Sequence, residues 1–280
     1  MRNLLKSDLY RFFKSKQFII ICIIAGVFAL IVPTLNFILE KVVANLEGAE
    51  QYVSELRASS GAFNSMQSAL NPGSLFGFLM PIFVSIVLAS DFKDGTIRNK
   101  IIIGTSKYRV NASSFLSTTI FIVIVMVGYG ILSFIAGLIF FPVIPQTADA
   151  ASYIGNMFLT VLFDVFAYIF VSSIILLLVN IFRTQGMSAF MYVVALFGFQ
   201  FVGGIFEAII SAIKAYETNM DGLINFLSIF QWINPFQTMN TLIISNYSTS
   251  EIVSNIITPI AWSCINYYLS YLLLKKKDIK

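Results

Sequence analysis

The chain has 280 residues, of which 58% are hydrophobic and 11% charged, with a net charge of +4 and no histidine. That balance excludes an ordinary soluble domain, and the missing histidine excludes His-dependent serine hydrolysis, haem ligation by histidine and most zinc chemistry. The positive excess is not a nucleic-acid signal, and no nucleic-acid partner is expected, because the charges follow a topological pattern instead.

Taken in chain order, residues 1–17 read as an amphipathic helix of about four turns. Leu5, Leu9 and Phe12 or Phe13 recur at helical spacing, while Arg2, Lys6, Arg11 and Lys14 lie mostly away from them. Such a helix suits the membrane interface, either as a basic anchor on anionic lipid or as an elbow that also touches a cytoplasmic partner. Six apolar stretches follow, at about 18–39, 74–89, 114–141, 153–182, 187–212 and 252–274. A bilayer core about 30 Å thick needs roughly 20 apolar residues of helix, so each reads as a span. The second is short and is expected to begin nearer Asn71; the third and fourth are long enough to tilt or project.

Charge orients these spans. All but three of the 18 Lys and Arg fall before the first stretch, between the second and third, just after the fourth, and in the tail. The alternate gaps carry acids such as Glu40, Glu47, Glu55, Asp149, Glu217 and Asp221, with only Lys41, Arg57 and Lys214 as positive company. Short loops rich in Lys and Arg stay in the cytoplasm. The expected fold is therefore an all-α integral membrane protein with six spans, both termini cytoplasmic, and a single domain over 1–280. Cys22 and Cys264 fall inside spans and read as apolar packing residues, not as a disulfide or metal pair.

The gap at 40–71 is expected to hold short external helices, with a solvated face or a substrate-contacting one. The segment 91–111, DFKDGTIRNKIIIGTSKYRVN, is the most specific stretch. Thr96 is placed to N-cap a short helix, Gly104 to end it in a left-handed conformation, and Ser106 to cap the helix into the third span. Ile97, Ile101 and Ile102 supply an apolar stripe, with Arg98, Asn99 and Lys100 around its sides. This is either an ordinary basic loop or a helix that fits a groove on another protein, with Lys100 as an exposed rim charge. Further on, the apolar gap at 213–250 reads as two short helices dipping back into the outer leaflet, broken at Pro235.

Within the spans, Asp164 is costly to bury and must face protein or water. Tyr168, one turn on, is placed to hydrogen-bond it. The pair is either a pathway-lining group or a tie between helices. In the fifth span, Gly198, Gly203 and Gly204 beside Gln200 offer a close-packing face, for a dimer interface and pathway wall or for packing within the chain. Glu207, near the outer end of that span, can snorkel to the headgroups.

Asp91, Phe92, Gly95, Thr96, Ile97, Arg98, Asn99, Gly104, Ser106 and Arg109 together resemble the cytoplasmic loop of ABC-2 type transporter permeases. Lys6, Asp8, Leu9, Arg11 and Lys16 resemble the start of the same permeases, and Ile233-Asn234-Pro235-Phe236 the segment before their last span. The chain is most similar to small Gram-positive permeases that export antimicrobial or amphiphilic peptides or confer immunity to them. The resemblance implies a coupling segment at 91–111 carrying Phe92, Gly95, Thr96, Ile97, Arg98, Ile101 and Gly104. It implies separate ATP-binding subunits that hold ATP and Mg, a second permease that is the same chain or a sister chain, and a multi-pass place in the plasma membrane. No catalytic, metal or cofactor residue is expected here, since no GxxxxGK[ST] phosphate loop occurs. Two rivals stand beside this: an ATP-independent secondary transporter or channel coupled through Asp164, and a non-transporting membrane immunity or sensor protein.

Overall fold

Long apolar runs cannot leave backbone polar groups unpaired in lipid, and the helix satisfies all of them locally. The structure, a computed structural model, describes residues 1–45, 61–144, 150–215, 221–235 and 249–276. Among these residues it is all-helical: α1 (Arg2–Lys14), α2 (Lys16–Ala44), α3 (Ala62–Leu70), α4 (Leu75–Lys93), α5 (Thr96–Ile102), α6 (Lys107–Phe140), α7 (Ala150–Phe182), α8 (Gln185–Ala215), α9 (Asp221–Ile233) and α10 (Thr249–Lys276). Five stretches are long and apolar enough to cross a membrane: α2, α3 with α4, α6, α7 and α8. They fit a multi-pass membrane protein. The sixth expected span forms a 28-residue helix, α10, but its charged ends and Ser, Asn and Thr content make it less apolar than the five.

Each of the six helices extends past its apolar run. Polar residues such as those at 107–113 continue α6 without a break because nothing in them stops a helix. The second span behaves differently. Its helix starts at Leu75, with the Ser74 hydroxyl accepting from Gly77 N at 3.0 Å, and not nearer Asn71. Asn71 instead ends α3, which packs along the far half of α6. Ala62 N donates to Pro142 O at 2.9 Å, and Leu70 fits against Gly130. The crossing is thus a broken one: α3, a four-residue turn at 71–74, then α4. Within the turn, Gly73 N donates to the Asn71 side chain at 2.7 Å and Ser74 N to Asn71 O at 2.9 Å. A Cβ at Gly77 would sit 2.5 Å from Asn71 O, so only glycine lets α4 begin this close to the turn.

Polar side chains lace the other helices together. Asn180 on α7 donates to Asn111 on α6 at 3.1 Å and to Ser270 on α10 at 2.5 Å, while Asn266 donates to Ser173 at 3.2 Å. These ties lie inside the bundle, where lipid offers no alternative partner. Cys22 and Cys264 are free and exposed on their helices, so neither is the packing residue expected.

The α9 helix matches the first of the two short helices expected before the last span. It packs on α8, with Phe206 and Phe230 stacked 5.2 Å apart. Pro235 is buried just after it, and Asn234 donates to Phe199 O at 2.8 Å. The second expected short helix would fall in 236–248, which lies outside the described residues, as do 46–60 of the 40–71 gap and 277–280.

Candidate functional site

The basic segments converge on one end of the bundle, where α1, the end of α4, α5, the start of α6 and the end of α10 meet. The α4 helix ends at Lys93, and the chain reverses through Gly95 at φ 69° into the two-turn α5. Gly104, at φ 95°, closes it. Both conformations lie in the left-handed region where a Cβ is strained, which is why glycine stands at each. Thr96 is not the N-cap. Gly95 takes that position with no side-chain bond, because the immediate turn out of α4 leaves no extended residue whose hydroxyl can reach back. Ser106 does cap α6, accepting from Arg109 N at 3.4 Å.

The stripe on α5 divides into an inner and an outer part. Ile97 is only 4% exposed and packs with Val110 of α6 and Leu274 of α10, against half-buried Phe92 and Ile101. The outward apolar pair is Ile102, 69% exposed, and Ile103, 84% exposed. Ile103 was missed from sequence because its position as the C-cap turns it out of the helical register. Arg98 is exposed, and Phe92 carries the Arg183 guanidinium over its ring at 5.3 Å.

Charge fastens α1 to this loop. The Lys100 ammonium donates to Asp8 Oδ1 at 2.5 Å, and the Ser113 hydroxyl donates to Asp8 Oδ2 at 2.6 Å. Arg11 pairs with Asp91 at the end of α4. The side chains of Asp8 and Lys100 are 2% and 11% exposed, so Lys100 is no rim charge. Burial pulls the Lys100 ammonium below its ordinary pKa, opposed by its bond to Asp8; burial likewise lowers Arg11, opposed by Asp8 and Asp94. Apolar contacts complete the clamp. Phe12 is buried and stacks on Phe121 at 4.9 Å, and Phe13 meets the same ring edge-on at 5.2 Å. Leu5 and Leu9 are half-buried on the same helix. Between α1 and α2 stands Ser15 alone, whose hydroxyl donates to Phe12 O at 2.7 Å and accepts from Phe18 N at 3.2 Å. Sequence reading found the residues of this site but not the pairing, since Asp8 and Lys100 are 92 positions apart.

The candidates inside the bundle do not join this site. Asp164 is buried on α7 and its Oδ2 has no hydrogen-bond partner. Tyr168 does not bond to it; its hydroxyl donates to Leu70 O, the last carbonyl of α3, at 2.7 Å. That carbonyl is left open by the helix break, and it outcompetes the carboxylate for the phenol. Asp164 and Tyr168 share a lining of Val123, Met126 and Val161 around a cavity of about 10 Å³, room for a single water at most. On α8, a Cβ at Gly198 or Gly204 would meet open space, so neither serves close packing within the chain. Gly203 is buried, Gln200 half-buried and Glu207 exposed.

Compared with protein-family models and with curated proteins, the chain has no match. Among the described residues, no group of His, Cys, Asp and Glu is arranged to hold a metal ion.

Proposed function

We propose that this chain is the membrane-spanning subunit of an ATP-driven ABC-2 type exporter, six-span, with both termini in the cytoplasm of a Gram-positive cell. The observation that carries this reading is the clamp. A two-turn helix with an outward apolar tip is tied by the buried Lys100–Asp8 pair to the helix that leads into α2, and Arg11 ties that same helix to the end of α4. Pushing on Ile102 and Ile103 displaces α1 and α5 together, so force applied by a soluble partner reaches the spans. That partner is a separate ATP-binding subunit, holding ATP and Mg, one beneath each of two permeases, either identical or sister chains. The cargo follows from the resemblance: antimicrobial or amphiphilic peptides, for export or immunity. The chain itself performs no covalent chemistry.

The direct test is co-purification. Replacing Ile102 and Ile103 with Asp puts two charges into a contact that must lose water on docking, which is strongly unfavourable. Both positions are exposed, so insertion is expected to stay normal while recovery of a phosphate-loop ATPase falls severalfold or more. Undiminished recovery sinks the proposal. Topology is checked separately, in a background lacking Cys22 and Cys264. Val143→Cys is expected to react with an impermeant thiol reagent in whole cells, and Arg109→Cys is not; the reverse pattern overturns the orientation.

A second reading rests on a different observation. A broken helix beside a buried carboxylate is the arrangement secondary transporters use for coupling, and the 71–74 turn with Asp164 supplies both parts. Transport that persists without any ATPase and stops with Asp164→Asn would favour it.

A further inference from the structure

A second feature of the basic end is a cavity of about 330 Å³ between the α4–α5 turn and the α7–α8 turn. Phe92, Lys93, Ile97, Arg98, Arg183, Thr184 and Gln185 line it, and among the described residues no Asp or Glu does. The carboxylate of Asp91, two residues before Lys93, faces elsewhere and pairs with Arg11. Three cations therefore share the lining of one hollow. Its size falls within the range of small-ligand sites. Arg183 is held there at φ 58°, a left-handed conformation that a side-chain-bearing residue adopts at a cost, with its guanidinium over Phe92. The α8 helix leaves the cavity bearing Met187, Phe190, Val194, Phe197 and Phe201, all exposed and spaced along one face. A hollow carrying three cations thus adjoins the start of an apolar flank through Gln185, the first residue of α8.

We propose that this cavity binds the phosphate of an anionic phospholipid, with Lys93, Arg98 and Arg183 on the phosphate and the acyl chains along the exposed face of α8. Arginine and lysine together suit a phosphodiester, one by its donor fork and the other as a point charge. A basic pocket between helices at the membrane surface matches an anionic headgroup. The flank argues for a lipid over a soluble phosphate, which has no use for it. The inference rests on the membrane reading of the chain and is independent of the ATPase, so loss of lipid binding leaves the co-purification test untouched.

The test is a titration of delipidated protein in detergent, with bound species counted by native mass spectrometry. The probes are phosphatidylglycerol, phosphatidylcholine and inorganic pyrophosphate. One phosphatidylglycerol is expected to bind at least about tenfold more tightly than phosphatidylcholine. Removing two cations with the double variant Lys93→Gln/Arg98→Gln is expected to weaken it roughly 25-fold, about fivefold for each. Both side chains are exposed, so the fold is not at risk. Arg109→Gln, an exposed cation at the same end but outside the cavity, is expected to change nothing. Equal affinity for the two lipids overturns the proposal, and so does a phosphatidylglycerol preference that survives the double variant. Pyrophosphate binding as tightly as phosphatidylglycerol would mark a soluble-anion site and overturn the lipid assignment.

Discussion

Two regions of this protein bury carboxylates, and they do it in opposite ways. At the basic end, Asp8 and Asp91 each face a cation, and Asp8 takes a serine hydroxyl as well. In the bundle interior, Asp164 has no cation among its cavity neighbours and no hydrogen bond to Oδ2, even though a phenol stands one turn away. A paired charge holds only one geometry and so fixes elements to one another. An unpaired one fixes nothing, and its burial is tolerated only where the charge can be given up or shared with a transient partner. The first region is therefore built for mechanical connection, and the second keeps a polar group unspent.

The sharpest way to break this contrast is Asp8→Ala. It strands a buried Lys100, and removing one partner of a buried pair costs about 3–5 kcal/mol. Thermal unfolding followed in detergent is expected to shift down steeply, or folded protein to be lost. The double variant Asp8→Leu/Lys100→Met removes both charges and is expected to regain most of that stability. If it does not, the pair is not the origin of the loss. Arg11→Met comes next, at about 3 kcal/mol, because it strands the buried Asp91, while the partial exposure of Arg11 means that water already screens part of the pair. Smallest is Asp164→Asn, within about 1 kcal/mol of wild type in the same assay, since no ion pair is lost. A penalty as large as that of Asp8→Ala would show that Asp164 has a charged partner after all and erase the distinction.

The spans were legible because hydropathy over 20 residues is an additive signal, and five of them stand out in the structure on the same property. The break at 71–74 was half-legible. Asn71, Pro72 and Gly73 announce a turn, but only the packing of Leu70 on Gly130 shows that the turn lies within the bundle rather than before it. Ser106 and Gly104 were read correctly because caps are local. Thr96 was misread for a related reason: its role depends on Gly95 reversing the chain, and a backbone angle is not written in the side chain that follows. Lys100 and Tyr168 were misread because their partners, Asp8 and Leu70, lie 92 and 98 residues away. A long-range pair leaves no periodicity to find.

One residue separates α1 from α2, and its consequence is kinematic. A corner made of several loose residues lets one arm turn while the other stays still. Ser15 spans the corner alone and bonds to the last turn of one arm and the first turn of the other. It leaves no slack. Rotation of the short arm therefore becomes tilt of the long one, and over the 29 residues of α2, about 43 Å of helix, a tilt of a few degrees at Ser15 moves the far end by several ångströms.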